Sequence, residues 1–159
     1  MKASLRPYLP ADAPLLAAIF QESIEVLAED DYSPDQRAAW AATADDVAKF
    51  AKRLAGGLTI VVLADGGPVG FASLAGADKL DLLYVHPDYA GQGLGAMLAD
   101  ALEKLAGARG AAQMTSDVSD NAVPFFEKRG YVAQMRSTLT VGDEWLASTT
   151  MRKTLAAAP

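Results

Sequence analysis

Leu83-Tyr84-Val85-His86-Pro87-Asp88-Tyr89-Ala90-Gly91-Gln92-Gly93-Leu94-Gly95-Ala96 is the stretch whose reading decides the fold. A strand-like run enters a glycine-rich turn. The turn opens an amphipathic helix in which Leu94, Leu98, Ala101, Leu102 and Leu105 recur at helical spacing. The first N–H groups of a helix lack internal partners and sit at the positive end of its dipole. Phosphate oxygens accept from such groups. Gly91, Gly93 and Gly95 keep side chains out of the way, so residues 90–96 read as a backbone grip for a phosphate-bearing carrier. The competing reading is a glycine turn that only packs a helix against a sheet.

Working outward, residues 79–85 form a strand. Strict alternation sets Asp81, Leu83 and Val85 on one face and Leu82, Tyr84 and His86 on the other. Before it, residues 58–64 are a β-branched run, and Asp65-Gly66-Gly67-Pro68 turns the chain into a returning strand at 69–74. Further upstream, residues 3–8 suit a short strand. Asp12 reads as the N-cap of a helix over 12–28, with Pro14 in its first turn. Residues 29–42 are acidic and irregular, broken at Ser33-Pro34-Asp35, with a short helix at 35–40. Thr43 and Asp46 open a further helix that Gly56-Gly57 closes. Downstream, residues 111–118 form a strand. Ser119, Asp120 and Asn121 offer caps for a helix over 122–129, and strands at 131–141 and 147–155 finish the chain. Residues 156–159 are expected to fray. The result is an α/β fold: a mixed, mostly antiparallel central sheet flanked by helices.

The bulk numbers limit what such a domain does. The chain has 159 residues, one domain's worth, and about half are hydrophobic. It has no cysteine and a single histidine, His86, so thiol chemistry and a zinc site are not expected; no metal is called for. A net charge of −6 argues against a nucleic-acid partner. No apolar run is long enough for a membrane span, and the start lacks a signal peptide, so a cytoplasmic location is expected.

Three phosphate motifs compete for the loop. A dinucleotide fingerprint needs G-x-G-x-x-G directly after its strand, whereas here the spacing is G-x-G-x-G and residues 86–90 intervene. A Walker A loop needs Gly-Lys-Ser/Thr, which is absent. Ala90-Gly91-Gln92-Gly93-Leu94-Gly95 resembles the coenzyme A pyrophosphate loop of the GNAT family, the Gcn5-related N-acetyltransferases, with Ala90 where an Arg or Gln is usual. Asp81-Leu82-Leu83-Tyr84-Val85-His86-Pro87-Asp88-Tyr89 is similar to the family's preceding strand and turn. Asn121-Ala122-Val123-Pro124-Phe125-Phe126-Glu127-Lys128-Arg129-Gly130-Tyr131 is similar to its later helix. Tyr32-Ser33-Pro34-Asp35-Gln36 through Ala39-Trp40 resembles one bacterial subgroup, the YafP-like acetyltransferases.

The resemblance implies a single GNAT-like domain over residues 1–155. It further implies acetyl-CoA as cosubstrate and direct transfer of its acetyl group to a primary amine of a small molecule or peptide in a ternary complex. It assigns pyrophosphate to Ala90, Gly91, Gln92, Gly93, Leu94, Gly95 and Ala96. Pantetheine falls to the backbone of Leu83, Tyr84 and Val85, with the Val85 N–H as oxyanion donor. Ser119 stands for the family's pantetheine-contacting asparagine. Phe126 stands where a proton-donating tyrosine is usual and is expected near the sulfur; water, Ser119 or another hydroxyl would then protonate the thiolate. Asp81 is the candidate general base, with Glu22 and Glu25 as alternatives; His86 reads as a turn residue. Tyr32 and Trp40, amid Glu29, Asp30, Asp31 and Asp35, are candidates for holding a cationic amine. Trp145 suits substrate or a homodimer contact. The missing tyrosine keeps open a non-catalytic acyl-CoA-binding module, and an oxidoreductase using a nucleotide is a third class.

Overall fold

The structure is a computed structural model that describes residues 2–155. The expected frayed tail, 156–159, lies outside the described residues. The strands are β1 (Ser4–Pro7), β2 (Leu58–Ala64), β3 (Gly67–Ala75), β4 (Lys79–Val85), β5 (Gln113–Ser119), β6 (Val132–Val141) and β7 (Glu144–Thr154). The α-helices are α1 (Ala13–Leu27), α2 (Pro34–Ala41), α3 (Val47–Ala55), α4 (Leu94–Ala108) and α5 (Val123–Lys128). The seven strands form one sheet in the order β1-β2-β3-β4-β5-β7-β6. Every neighbouring pair is antiparallel except β4 and β5.

Alternation along the central strands splits the core in two. On one face Leu94, Leu98 and Leu102 of α4 and Phe126 of α5 meet Val62, Ala72, Leu80 and Met114. On the other, Leu16, Phe20 and Ile24 of α1 and Phe50 and Leu54 of α3 meet Val61, Phe71 and Leu82.

Two local readings change. Asp12 does not cap α1. Its carboxylate accepts from the Leu9 N–H (2.8 Å) and pairs side-by-side with Arg6 (2.7 and 2.9 Å), fixing the turn that leads into the helix. The break at Ser33-Pro34 is sharpened: the short helix expected at 35–40 starts there, as α2. Ser33 Oγ accepts from the Gln36 N–H and Gln36 Oε1 from the Ser33 N–H, a capping box with Pro34 in the first turn.

β4 departs from simple alternation. Leu82 lies opposite Ser73 and Leu80 opposite Leu74, so Asp81 is the unmatched residue of a bulge. The extra residue flips the facing, putting Leu80 in one cluster with Leu83 and Val85. Asp81 turns to the other side, beside Leu82 and Tyr84, where Arg53 of α3 meets it. The expectation that Asp81 shares a face with Leu83 and Val85 is therefore corrected.

Candidate active site

β4 and β5 touch at a single rung, Lys79 opposite Thr115, braced by Thr115 N–H to Asp78 C=O (2.9 Å) and Ser116 Oγ–H to Leu80 C=O (2.8 Å). Toward Val85 no further rung forms, and the strands part. The His86 N–H donates to Val69 C=O (2.8 Å). That makes Gly70–Val85 and Ala72–Leu83 non-hydrogen-bonded pairs of the β3–β4 ladder. Leu83 and Val85 therefore aim their N–H and C=O groups into the gap. The Tyr84 backbone is spent on Phe71, so of the expected trio only Leu83 and Val85 offer backbone there.

A cavity of about 190 Å³ fills this gap. Leu83, Val85, Gly95, Ser119, Asn121 and Phe126 are among its walls. Phe126 is buried, packed edge-on against Phe125 and Tyr131. Asn121, read from sequence only as a cap, has its Oδ1 buried without a hydrogen-bond partner among the described residues. An orphaned amide oxygen facing a gap with free backbone N–H and C=O groups suits an extended amide-bearing chain, the chemistry of pantetheine. At the mouth, α4 makes its first bond from the Met97 N–H to Gly93 C=O (3.1 Å), leaving the amides of Leu94, Gly95 and Ala96 pointing outward. Gly91 and Gly93 have φ of +75° and +84°, and a Cβ on either would meet nothing within 4 Å, so the loop is shaped by backbone conformation and open to a ligand. The Ala90 N–H is already spent on Pro87 C=O (3.2 Å), so the grip begins at Gly91. The residues present thus fit coenzyme A.

A second cavity of about 380 Å³ lies on the side of α1, α2 and the β6–β7 hairpin. Trp40, Asp81, Tyr84, Asp117 and Ser119 line both cavities and mark where they adjoin. Asp81 sits at this junction with Arg53 side-on, Nε–H and Nη2–H donating at 2.9 and 3.1 Å. Burial pushes the Tyr84 hydroxyl well above its ordinary pKa, so it stays protonated. A hydrogen bond from Thr150 holds Asp117 below the usual carboxylate range, with Lys79 adding to it. Arg53, Lys79 and Asp117 escaped the sequence reading, because only the tertiary fold brings them to one wall.

The remaining candidates fall elsewhere. Glu22 binds His86 Nε2, and Glu25 lies beside Arg37 (3.5 Å); neither lines a cavity, although their helix neighbours Ser23, Ile24 and Leu27 do. His86 is a turn residue, its Nδ1 accepting from the Asp88 N–H (3.1 Å). Tyr32 and Trp40 line the second cavity, but Glu29, Asp30, Asp31 and Asp35 do not. Trp145 lines neither cavity and is 70% exposed. Among the described residues no cluster of three or more His, Cys, Asp or Glu is placed to hold a metal ion, and no helix is long and apolar enough to cross a membrane.

A mixed sheet parted between its parallel strands, with a glycine turn and helix start at the mouth of the gap, is the architecture of an acetyltransferase fold. Residues 28–155 match the family described as Acetyltransferase (GNAT) domain, and the chain belongs to that family of acetyltransferases. It is 31% identical to the uncharacterized N-acetyltransferase YafP of Escherichia coli (strain K12), over 93% of both chains. A solved GCN5-related N-acetyltransferase from Rhodopseudomonas palustris is 61% identical and superposes with a TM-score of 0.95, covering 98% of this chain and 97% of its own. The PaiA N-acetyltransferase of Thermoplasma acidophilum, solved in complex with coenzyme A, shares the fold at 21% identity (TM-score 0.79; 97% of this chain and 99% of its own).

Proposed function

We propose that this N-acetyltransferase uses acetyl-CoA and a primary amine together in a ternary complex, in two adjoining cavities. The parted β4–β5 gap, with Leu83 and Val85 facing it and Asn121 orphaned beside it, is the observation that carries the reading. The Leu83 and Val85 backbones pair with the pantetheine amides, and the Asn121 side chain takes the contact expected of Ser119. The amides from Gly91 to Ala96 hold the pyrophosphate. Bound acetyl-CoA supplies an acetyl group on a thioester. Val85 N–H, with Leu83 N–H next along the strand, donates to the carbonyl oxygen as negative charge develops there.

Proton movement falls to the junction. Asp81 accepts the amine proton through a water. Arg53 occupies one lone pair on each of its oxygens, and a carboxylate has about four acceptor positions, so a water still has a place. Phe126 has no proton to give. Tyr84 and Ser119 line both cavities, and their hydroxyls are the donors we assign to the departing thiolate. The chain has no cysteine to carry an acyl group, which supports direct transfer.

The Phe126 position also favours a second reading, a domain that binds acyl-CoA without turnover. Following free thiol from acetyl-CoA across a broad amine panel separates the two. Turnover is expected, and Asp81→Asn should lower kcat roughly 10²-fold, as for loss of a general base. Binding with no thiol release from any amine would support the binding domain instead.

A further inference from the structure

We propose that the acceptor is a small amine that also carries a carboxylate, with an apolar body between the two: an apolar amino acid or a close analogue. This rests on the acetyltransferase reading above. The acidic residues of the 29–35 segment stay out of the acceptor cavity, so its charge comes from Arg53, Lys79, Asp81 and Asp117. Each acid has both oxygens engaged, with a position left on Asp81 for the relay water. Both Asp81 oxygens are held by Arg53, and Asp117 accepts from Thr150 Oγ1 (2.8 Å) and pairs with Lys79 Nζ (3.1 Å).

The cations are not spent. Arg53 uses only Nε and Nη2 on Asp81, leaving Nη1 without a partner among the described residues. Lys79 makes one ion pair and has three donors. Both side chains are nearly half exposed, at 47% and 45%, so they meet an entering ligand. The free donors, Arg53 Nη1 and the remaining N–H groups of Lys79, therefore suit an anion, and a carboxylate matches a guanidinium edge and an ammonium together. Trp40, Leu139, Val141 and Leu146 supply the apolar wall. The amine end reaches the junction at Tyr84, Asp81 and Ser119. About 380 Å³ is room for a small molecule. A polyamine would find both carboxylates already paired with cations, and a peptidyl lysine has no anion beside its amine. In the transfer the carbon–nitrogen bond forms as the carbon–sulfur bond breaks. The neutral amine loses one proton and the thiolate gains one, giving an N-acetyl amino acid and the free thiol.

The test follows thiol release by the intact protein with acetyl-CoA and paired acceptors: leucine against leucinamide, phenylalanine against phenylalaninamide, with putrescine and a lysine peptide alongside. The free acids should exceed their amides in kcat/KM by roughly tenfold or more, the weight of one hydrogen bond to a charged group. Lys79→Met should raise KM for the acids with little change for the amides, and Lys79→Arg should restore the gap. Amides as good as the acids, or a preference for putrescine or the peptide, would overturn this acceptor while leaving the acetyltransferase reading intact. Silence with every amine despite acetyl-CoA binding would overturn both.

Discussion

At position 90 the glycine loop carries an alanine where relatives of this pattern carry Arg or Gln. Ala90 lies in extended backbone (φ −67°, ψ 150°) at the end of the short turn Pro87–Tyr89, with its N–H already bonded to Pro87. Any side chain fits such a conformation, and an exposed one would project into water. Phosphate recognition then rests on the amides that follow. Ala90→Arg should leave the acetyl-CoA dissociation constant unchanged or tighter by calorimetry, because it adds a cation without disturbing the amides. A marked weakening would mean that the loop does not meet phosphate there. Two side chains depart from the sequence expectation at this scale. Alternation gives the face of Asp81 only while strands pair one to one; a bulge has no residue signature strong enough to announce itself. Asn121 looked like one cap among three neighbours, and only the depth of its Oδ1 singles it out.

Between elements, Tyr32 has a part that its sequence neighbourhood disguised. Its hydroxyl donates to Ala147 C=O of β7 (2.6 Å) and accepts from the Asp120 N–H (2.9 Å), in the turn that carries Asn121. Its ring meets Trp40 edge-on at 5.4 Å. The acidic residues around it suggest a cation site, yet they line neither cavity, while the tyrosine turns inward as a strut to β7 and to the Asn121 turn. Tyr32→Phe keeps the ring and strips both bonds. Each polar group left buried costs about 1–3 kcal/mol, less where water replaces the hydroxyl. The urea midpoint should fall, and KM for acetyl-CoA should rise as the Asn121 turn loosens. An unchanged midpoint and KM would show the strut to be dispensable. The strands and helices themselves were legible, because periodicity and turn residues are local. The β4–β5 gap was not legible, since nothing in either strand says where a parallel pair stops pairing; the family resemblance implied only that pantetheine pairs with the Leu83–Val85 backbone.

Across the whole molecule, ion pairs tie distant segments together, and their carboxylates set the response to acid. Arg6 hydrogen bonds hold Asp12 below its ordinary pKa, Arg129 does the same for Asp100, and Thr150 then Lys79 do so for Asp117. These pairs bind β1 to the approach of α1, α4 to the end of α5, and β4 to β5 and β7 beside the site. A depressed folded-state pKa means that the unfolded chain takes up protons first as pH falls. The stabilisation is thus complete above the unfolded carboxylate value of about 4 and is lost below it, as pH drops through the folded values. The melting temperature should therefore hold steady from neutral pH to about pH 5 and decline below about pH 4. Asp12→Asn removes one titrating pair, so its melting temperature should start lower at neutral pH and fall less steeply in acid. Thermal melts of both proteins across that range check the sign: a variant that declines as steeply as the parent would mean that the Arg6–Asp12 pair contributes nothing to the acid limb.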